Sequence, residues 1–269
     1  MQHLLRSTVL VILFFGISKV TGLLRSNLVG NRFGTGGEFD AFTAANQLPE
    51  VFYVLIAGGA LAAAFIPVYS AYLTDQKTKE SYRLLHTTLT LVIIVLGVIA
   101  SLSALFAPVL AQLLTPNFSP EKQQLTAELM RIILIQTVLF GISGVLSSFL
   151  NAHQHFALPA LASVALDIGY VVGLYLFVPN LGIHGLAWGT VVGGGLHIAI
   201  QIPALIKYRF SYRPRIAWAL PGVREIVKLM GPRIVTLGSI QFADLFIIRL
   251  TSGLPEGSTS AYFYAFTLM

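Results

Sequence analysis

Cysteine is absent from the 269 residues, which removes thiol catalysis, disulfides and thiolate metal sites and leaves the compartment open. Charge is scarce: Asp, Glu, Lys and Arg make up 10% of the chain, where a soluble domain carries about 25%. Acids are fewer than bases, 11 against 17, so the net charge is +6. No Gly-x-x-x-x-Gly-Lys-Ser/Thr loop is present, so the chain has no ATPase site of that type. Nucleophile elbow, zinc helix and paired catalytic carboxylates are missing too. An enzyme is not expected, nor a metal, nor a cofactor.

What the chain has is apolar surface. Hydrophobic residues make up 55% of it and its mean hydropathy is +0.78. A soluble core cannot hide that much, so the solvent must be lipid. About 20 apolar residues cross a bilayer as a helix. Seven runs qualify, at roughly Thr8–Leu24, Leu48–Leu73, Thr87–Leu114, Leu129–Leu150, Phe156–Val178, Gly185–Ile206 and Ile226–Leu250. An eighth begins near Ser260 and stops at Met269, as expected of a piece of a longer protein. The N-terminal run lacks an Ala-x-Ala-like site and contains Lys19 and Arg25, which speaks against a cleaved signal peptide.

Orientation follows from the basic residues. One set of connections holds Arg6, Lys77, Lys79, Arg83, Lys207, Arg209, Arg213, Arg215 and Arg224. The other holds Arg25, Arg32, Lys122 and Arg249. Basic loops stay in the cytoplasm, so the N-terminus is expected there, in a multi-pass membrane protein. The stretch Lys207–Arg224 adds Tyr208, Phe210, Tyr212 and Trp218 to its cations. Flanked by spans, it reads as an interfacial loop on anionic lipid, and nucleic acid is not the expected partner.

Ionisable groups at membrane depth are costly and face a polar cavity or a partner. Lys19 interrupts the first run and Arg25 ends it. Six residues apart, they lie about 120° apart on a straight helix and converge on one ligand only if it bends at Gly22. Asp40 opens the second segment and is placed to pair with Arg25 across the turn at Phe33-Gly34-Thr35-Gly36-Gly37. Asp167 and Asp244 lie mid-span in segments five and seven, as ion-pair partners or as a proton or cation site. Gln136 and Gln241 read as interhelical hydrogen-bonding groups. Gly22 and Pro49 are candidate hinges, because a proline inside a span frees a carbonyl and kinks the helix. Gly141, Gly144, Ser147 and Ser148 allow close helix approach, and His153-x-His155 reads as a pair of loop residues.

Ser18-Lys19-Val20-x-Gly22-x-x-Arg25 resembles the Ser-Arg-x-x-Gly-x-x-Arg signature in the first helix of MurJ-type lipid II flippases. That family belongs to the multidrug/oligosaccharidyl-lipid/polysaccharide exporter superfamily. Phe33-Gly34-x-Gly36, Asp40-Ala41-Phe42, Leu48-Pro49, Ala64-Phe65-Ile66-Pro67, Asn151 with Pro159, and Met230-Gly231-Pro232 with Gln241 resemble its further landmarks, and Tyr264-Ala265 with Leu268-Met269 the start of its eighth helix. The resemblance implies an all-α integral membrane protein of fourteen helices in two six-helix lobes about a cationic cavity, with a final helix pair. This chain supplies the first lobe at 1–206, a basic cytoplasmic loop at 207–225, and the start of the second lobe at 226–269. The implied activity moves undecaprenyl-pyrophosphate-linked peptidoglycan precursor from the inner to the outer leaflet by alternating access. Membrane lipids and cell-wall synthesis proteins are the implied partners. The resemblance also implies a bacterial plasma membrane, with Lys19 and Arg25 holding the pyrophosphate and Asp40 matching the family acid. The chain departs from the pattern in Leu48-Pro49-Glu50-Val51-Phe52-Tyr53, where the family has Arg after Leu-Pro-Asn, in Gly58 for Glu, and in Phe266-Thr267 for Asp-Arg. Two rivals stand beside it: a related polysaccharide-lipid flippase or multidrug/cation antiporter, and a non-transporting scaffold of envelope assembly.

Overall fold

The computed structural model describes residues 2–268, without the side chains of residues 2–11, 15, 57, 58, 267 and 268. The expectations attached to the side chains of Arg6, Gly58 and Thr267, and to Met269, lie outside these. All regular structure among the described residues is helical: α1 (Gln2–Phe33), α2 (Gly37–Phe52), α3 (Gly59–Thr74), α4 (Thr78–Leu105), α5 (Ala107–Leu114), α6 (Pro120–Ala152), α7 (Ala157–Val172), α8 (Val178–Leu181), α9 (Ile183–Ala199), α10 (Ile202–Lys207), α11 (Pro221–Thr251) and α12 (Ser258–Leu268). Two π-helical turns, Tyr53–Gly58 and Gly173–Phe177, join α2 to α3 and α7 to α8. Seven helical stretches are long and apolar enough to cross a membrane. This is a multi-pass membrane protein.

The bundle has two ends, named here by their turns. The Gly34 end carries residues 34–36, 115–119, 182 and 252–257; the Gln76 end carries 75–77, 153–156 and 208–220. Each holds a packed core. Phe39, Phe42, Leu129, Met130, Ile133 and Leu186 form the first; Leu61, Phe65, Tyr69, Leu84, Leu85 and Phe149 form the second. Large apolar side chains such as Val98, Leu102, Val109, Leu176 and Phe242 point outward. In water they would aggregate; against hydrocarbon they lose nothing, since lipid tails are as apolar as Leu.

Three expectations need correction. Helix α1 does not end at Arg25 but runs two turns further, to Gly34, whose φ of +57° lets its N–H close on the Gly30 carbonyl at 2.8 Å. A hydropathy scan stops at charges; a helix stops where the backbone turns. The third apolar run is broken at Phe106: Pro108 lacks an N–H and sits in the first turn of α5, where none is needed. Gln136 does not make the expected interhelical hydrogen bond through its Oε1, which is buried without a partner.

The tightest helix contact lies between α7 and α9. A Cβ on Gly169 would collide with the Gly193 backbone, and one on Gly173 would sit 2.7 Å from the Gly189 Cα. Without a hydrophobic driving force in lipid, van der Waals contact of this kind carries helix association. It fixes α7, and with it Asp167, against the rest of the bundle. Gly141 serves α6 similarly, its Cα turned toward Leu96 and Val92 of α4. His153 packs at 4.5 Å against the rings of both Phe149 and Tyr208. Next to it, the His155 imidazole is held below its ordinary pKa by burial and by the charge of Lys207.

Candidate functional site

Helix α1 lies along α7 and presents Thr21 and Arg25, one turn apart, on the same face. Asp167 of α7 receives both. The Arg25 guanidinium meets Asp167 Oδ1 at 3.0 Å, and the Thr21 hydroxyl donates to Oδ2 at 2.5 Å. One turn further along α7, the Tyr170 ring lies beneath the guanidinium, with Cζ 4.8 Å from its centroid. The Asp167 side chain is 8% exposed and that of Arg25 20%, so the pair is largely withdrawn from solvent. One further carboxylate shares the field: Glu50, on the last turn of α2, lies in electrostatic range of both Arg25 and Asp244 of α11. Arg25 therefore stands between two acids, Asp167, which it binds, and Glu50.

Lys19 is placed differently. It is exposed and, among the described residues, has no ion pair or hydrogen bond. Helix α1 is continuous through Gly22, and about 9 Å along its axis separates Lys19 from Arg25. The other candidate hinge, Pro49, is buried inside α2. Its carbonyl takes a hydrogen bond from Thr137 at 3.4 Å, one turn before the π-helical segment begins.

Asp40 does not pair with Arg25. It lies 1% exposed at the Gly34 end, where Lys122 of α6 reaches it at 2.8 Å. The same carboxylate accepts the Gly257 N–H at 2.9 Å, the Ser260 N–H at 2.8 Å and the Ser260 hydroxyl at 2.6 Å. Gly257 and Ser260 bracket the first turn of α12, whose free N–H groups need acceptors. Asp40 thus caps α12 from another helix. The cap is reciprocal: Glu256, just before α12, accepts the Gly37 N–H at the start of α2, at 2.6 Å. Below this junction Tyr264 stacks on Phe39 at 5.1 Å and Phe263 meets Phe39 edge-on at 6.2 Å. A void of about 20 Å³, room for one water, remains between these rings, Tyr170 and Arg25. The junction of α2 and α12 forms a seal over this void, and Arg25 lines the void beneath it.

Thr21, Tyr170, Lys122, Glu256 and Ser260 were not singled out from the sequence as site residues. Thr21 had one signal, its i,i+4 spacing from Arg25. The others come together from elements far apart in the chain, and nothing local announces them.

Seven spans around buried ion pairs define a multi-pass helical membrane protein. Solved structures agree on the fold. A structure titled "Lipid II flippase MurJ, inward closed conformation" superposes with a TM-score of 0.81 at 23% identity, over 97% of this chain and 54% of that one. A multidrug/oligosaccharidyl-lipid/polysaccharide superfamily transporter from Pyrococcus furiosus gives 0.74 at 15% identity, over 98% and 59%. The sequence model described as "Lipid II flippase MurJ" matches residues 29–269, and the chain belongs to that family. Among its relatives, "Probable lipid II flippase MurJ" of Buchnera aphidicola subsp. Acyrthosiphon pisum is 29% identical over 98% of this chain and 52% of its own length. The protein of the same description from Bdellovibrio bacteriovorus is 31% identical, over 94% and 49%. The chain spans about half the length of the curated relatives it matches.

Proposed function

We propose that the whole protein flips a lipid II-like substrate, an undecaprenyl-pyrophosphate-linked peptidoglycan precursor, from the inner to the outer leaflet by alternating access. In this reading residues 1–206 are the first lobe, 207–225 a cytoplasmic loop, and 226–269 the start of the second lobe. The Gln76 end, with eight of its cations at Lys77, Lys79, Arg83, Lys207, Arg209, Arg213, Arg215 and Arg224, faces the cytoplasm, and the Gly34 end faces outward. Family membership supports the substrate. The observation that carries the mechanism is Arg25, held by Asp167 just beneath the outer seal. Substrate arriving from the cytoplasm meets Lys19 first, as an unpaired ammonium. Its pyrophosphate then competes with Asp167 for the Arg25 guanidinium, which has five donors and can serve two anions at once. Asp167 holds the guanidinium in place and neutralises it while the site is empty.

Complementation of a flippase-depleted cell by the full chain tests this. Lys19→Ala and Arg25→Ala each abolish growth rescue at normal membrane levels, and Lys19→Arg keeps it. A hundredfold loss of affinity corresponds to about 2.7 kcal/mol, within the cost of stripping one cation from a buried charge pair. Full rescue by Lys19→Ala removes Lys19 from the site. Efflux of small cationic dyes by the full chain, lost in Asp244→Asn, replaces the flippase reading with cation antiport.

A further inference from the structure

A second cavity, of about 390 Å³, lies between α3, α4 and α11. It is lined by Ile56, Leu91, Val95, Trp218, Ile226 and Met230 among others, and Thr88 and the Trp218 indole supply its only polar side-chain groups. Its size falls in the range of about 300–1,000 Å³ typical of ligand sites. Its shape follows from the helices. The lining residues on α11 run from Val223 to Ile234, about 16 Å of helix. That is close to half the ~30 Å hydrocarbon core, the depth of one leaflet. The groove starts at the Gln76 end, where the strand of chain joining α10 to α11 crosses it.

That strap is pinned. The Arg215 N–H donates to Thr90 Oγ1 at 3.2 Å, the Ala217 N–H to Thr87 Oγ1 at 3.2 Å, and the Tyr212 hydroxyl lies 3.0 Å from Thr90 Oγ1. Three bonds to one turn of α4 fix the strap that carries Arg213 and Arg215, and three residues after Arg215 the strap's Trp218 lines the groove. Both are exposed, and among the described residues neither has a carboxylate within ion-pair distance. Arg224 and Lys228, on the first turns of α11, add positive charge, against Glu225 on the same turns. Trp218, 51% exposed, stands where strap meets groove, the position an aromatic ring takes at a membrane interface.

An apolar slot one leaflet deep, bordered by a strap that carries two guanidinium groups with no carboxylate partner among the described residues, matches one ligand chemistry. We infer that it binds one acyl chain of an anionic glycerophospholipid of the leaflet at the Gln76 end, with the phosphate on Arg213 and Arg215. A 55-carbon isoprenoid exceeds one leaflet and does not fit the slot as a whole. The bound chain fills the gap between the first-lobe bundle and α11, so α4 and α11 pack through it.

The full chain, purified in detergent, is mixed with phosphatidylglycerol or phosphatidylcholine, and retained lipid is read by native mass spectrometry. Phosphatidylglycerol is retained in preference. The double variant Arg213→Gln/Arg215→Gln binds it about thirtyfold more weakly, the loss expected for two basic groups at a membrane surface. Val95→Trp, which fills the slot from a partly exposed position and leaves both arginines in place, abolishes retention of either lipid. Equal retention of the two lipids by the unaltered chain overturns the inference. So does undiminished phosphatidylglycerol on the double variant. Retention by Val95→Trp means a headgroup site without an acyl slot. Undecaprenyl pyrophosphate displacing phosphatidylglycerol from the unaltered chain, but bound no less by Val95→Trp, assigns the arginines to another ligand and also overturns it.

Discussion

Arg25 and Asp167 are each other's first partner, and this decides what substitutions there mean. Removing the arginine leaves a carboxylate, 8% exposed, with only the Thr21 hydroxyl; removing one member of a buried pair costs about 3–5 kcal/mol. A transport defect in Arg25→Ala is therefore ambiguous without a stability measurement. A double-mutant cycle resolves it. We expect Arg25→Ala and Asp167→Ala each to destabilise the full chain in detergent, and the pair together by about 1–3 kcal/mol less than the sum, read from thermal unfolding. Strict additivity would mean that the 3.0 Å contact is not an energetic pair. Asp167→Asn leaves the site more cationic than before. If Asp167 only holds Arg25 in reserve, that variant binds substrate more tightly and releases it more slowly. The sequence showed that Arg25 and Asp167 are charges at membrane depth. It could not show that they meet, because 142 positions separate them and helix packing alone brings α1 to α7. Asp40 illustrates the same limit. Its nearness to Arg25 in the chain suggested a pair, yet α1 carries Arg25 two turns below the turn that holds Asp40, and Lys122 arrives instead.

At the level of elements, hydropathy located all seven spans, since lipid requires each to be a long apolar helix. The breaks were less legible. Phe106 is apolar, and so are both π-helical turns, so nothing in the composition marks them. The α7–α9 contact was written in the sequence as glycines four apart, at 169 and 173 against 185, 189 and 193. Attention to Gly141 and Gly144 found a looser contact. The difference between a packed glycine and an idle one is testable. Gly169→Ala should destabilise the full chain by about 1–3 kcal/mol, because the added methyl meets backbone that has no room to move. Gly97 of α4 has nothing within 4 Å of its missing Cβ. There Gly→Ala should be neutral or stabilise by up to about 1 kcal/mol, through helix propensity alone. Thermal unfolding of both variants checks the sign. A destabilised Gly97→Ala with an unaffected Gly169→Ala would mean that α7 and α9 do not touch as described.

For the whole molecule, the proposed alternating access requires the seal at the Gly34 end to open and close. We propose that the reciprocal caps between α2 and α12 are the bistable element. They join the first lobe to the first helix that follows α11, and every bond in them must break for the lobes to part. Asp40 holds most of it: two N–H groups, one hydroxyl and one ammonium. Asn at that position keeps the shape but loses the charge, and its NH2 faces donors. Loss of a capping acceptor costs about 0.5–2 kcal/mol, and a charge-assisted contact more. A shift of about 2 kcal/mol changes the closed-to-open ratio about thirtyfold. These 269 residues have no cysteine, so a single Ser26→Cys, in the void beneath the seal, adds a thiol there whose labelling is read against the same protein without the substitution. In intact cells a membrane-impermeant thiol reagent should reach it slowly in the otherwise unaltered full chain, and about 10- to 30-fold faster when Asp40→Asn is added. Glu256→Gln should have the same sign and a smaller effect, since it releases one N–H. Labelling that is equally fast with and without Asp40→Asn would show that the caps do not hold the seal. Labelling from the cytoplasmic side alone, in inverted vesicles and not in cells, with Asp40→Asn raising that rate, would reverse the orientation and put the Gly34 end inside.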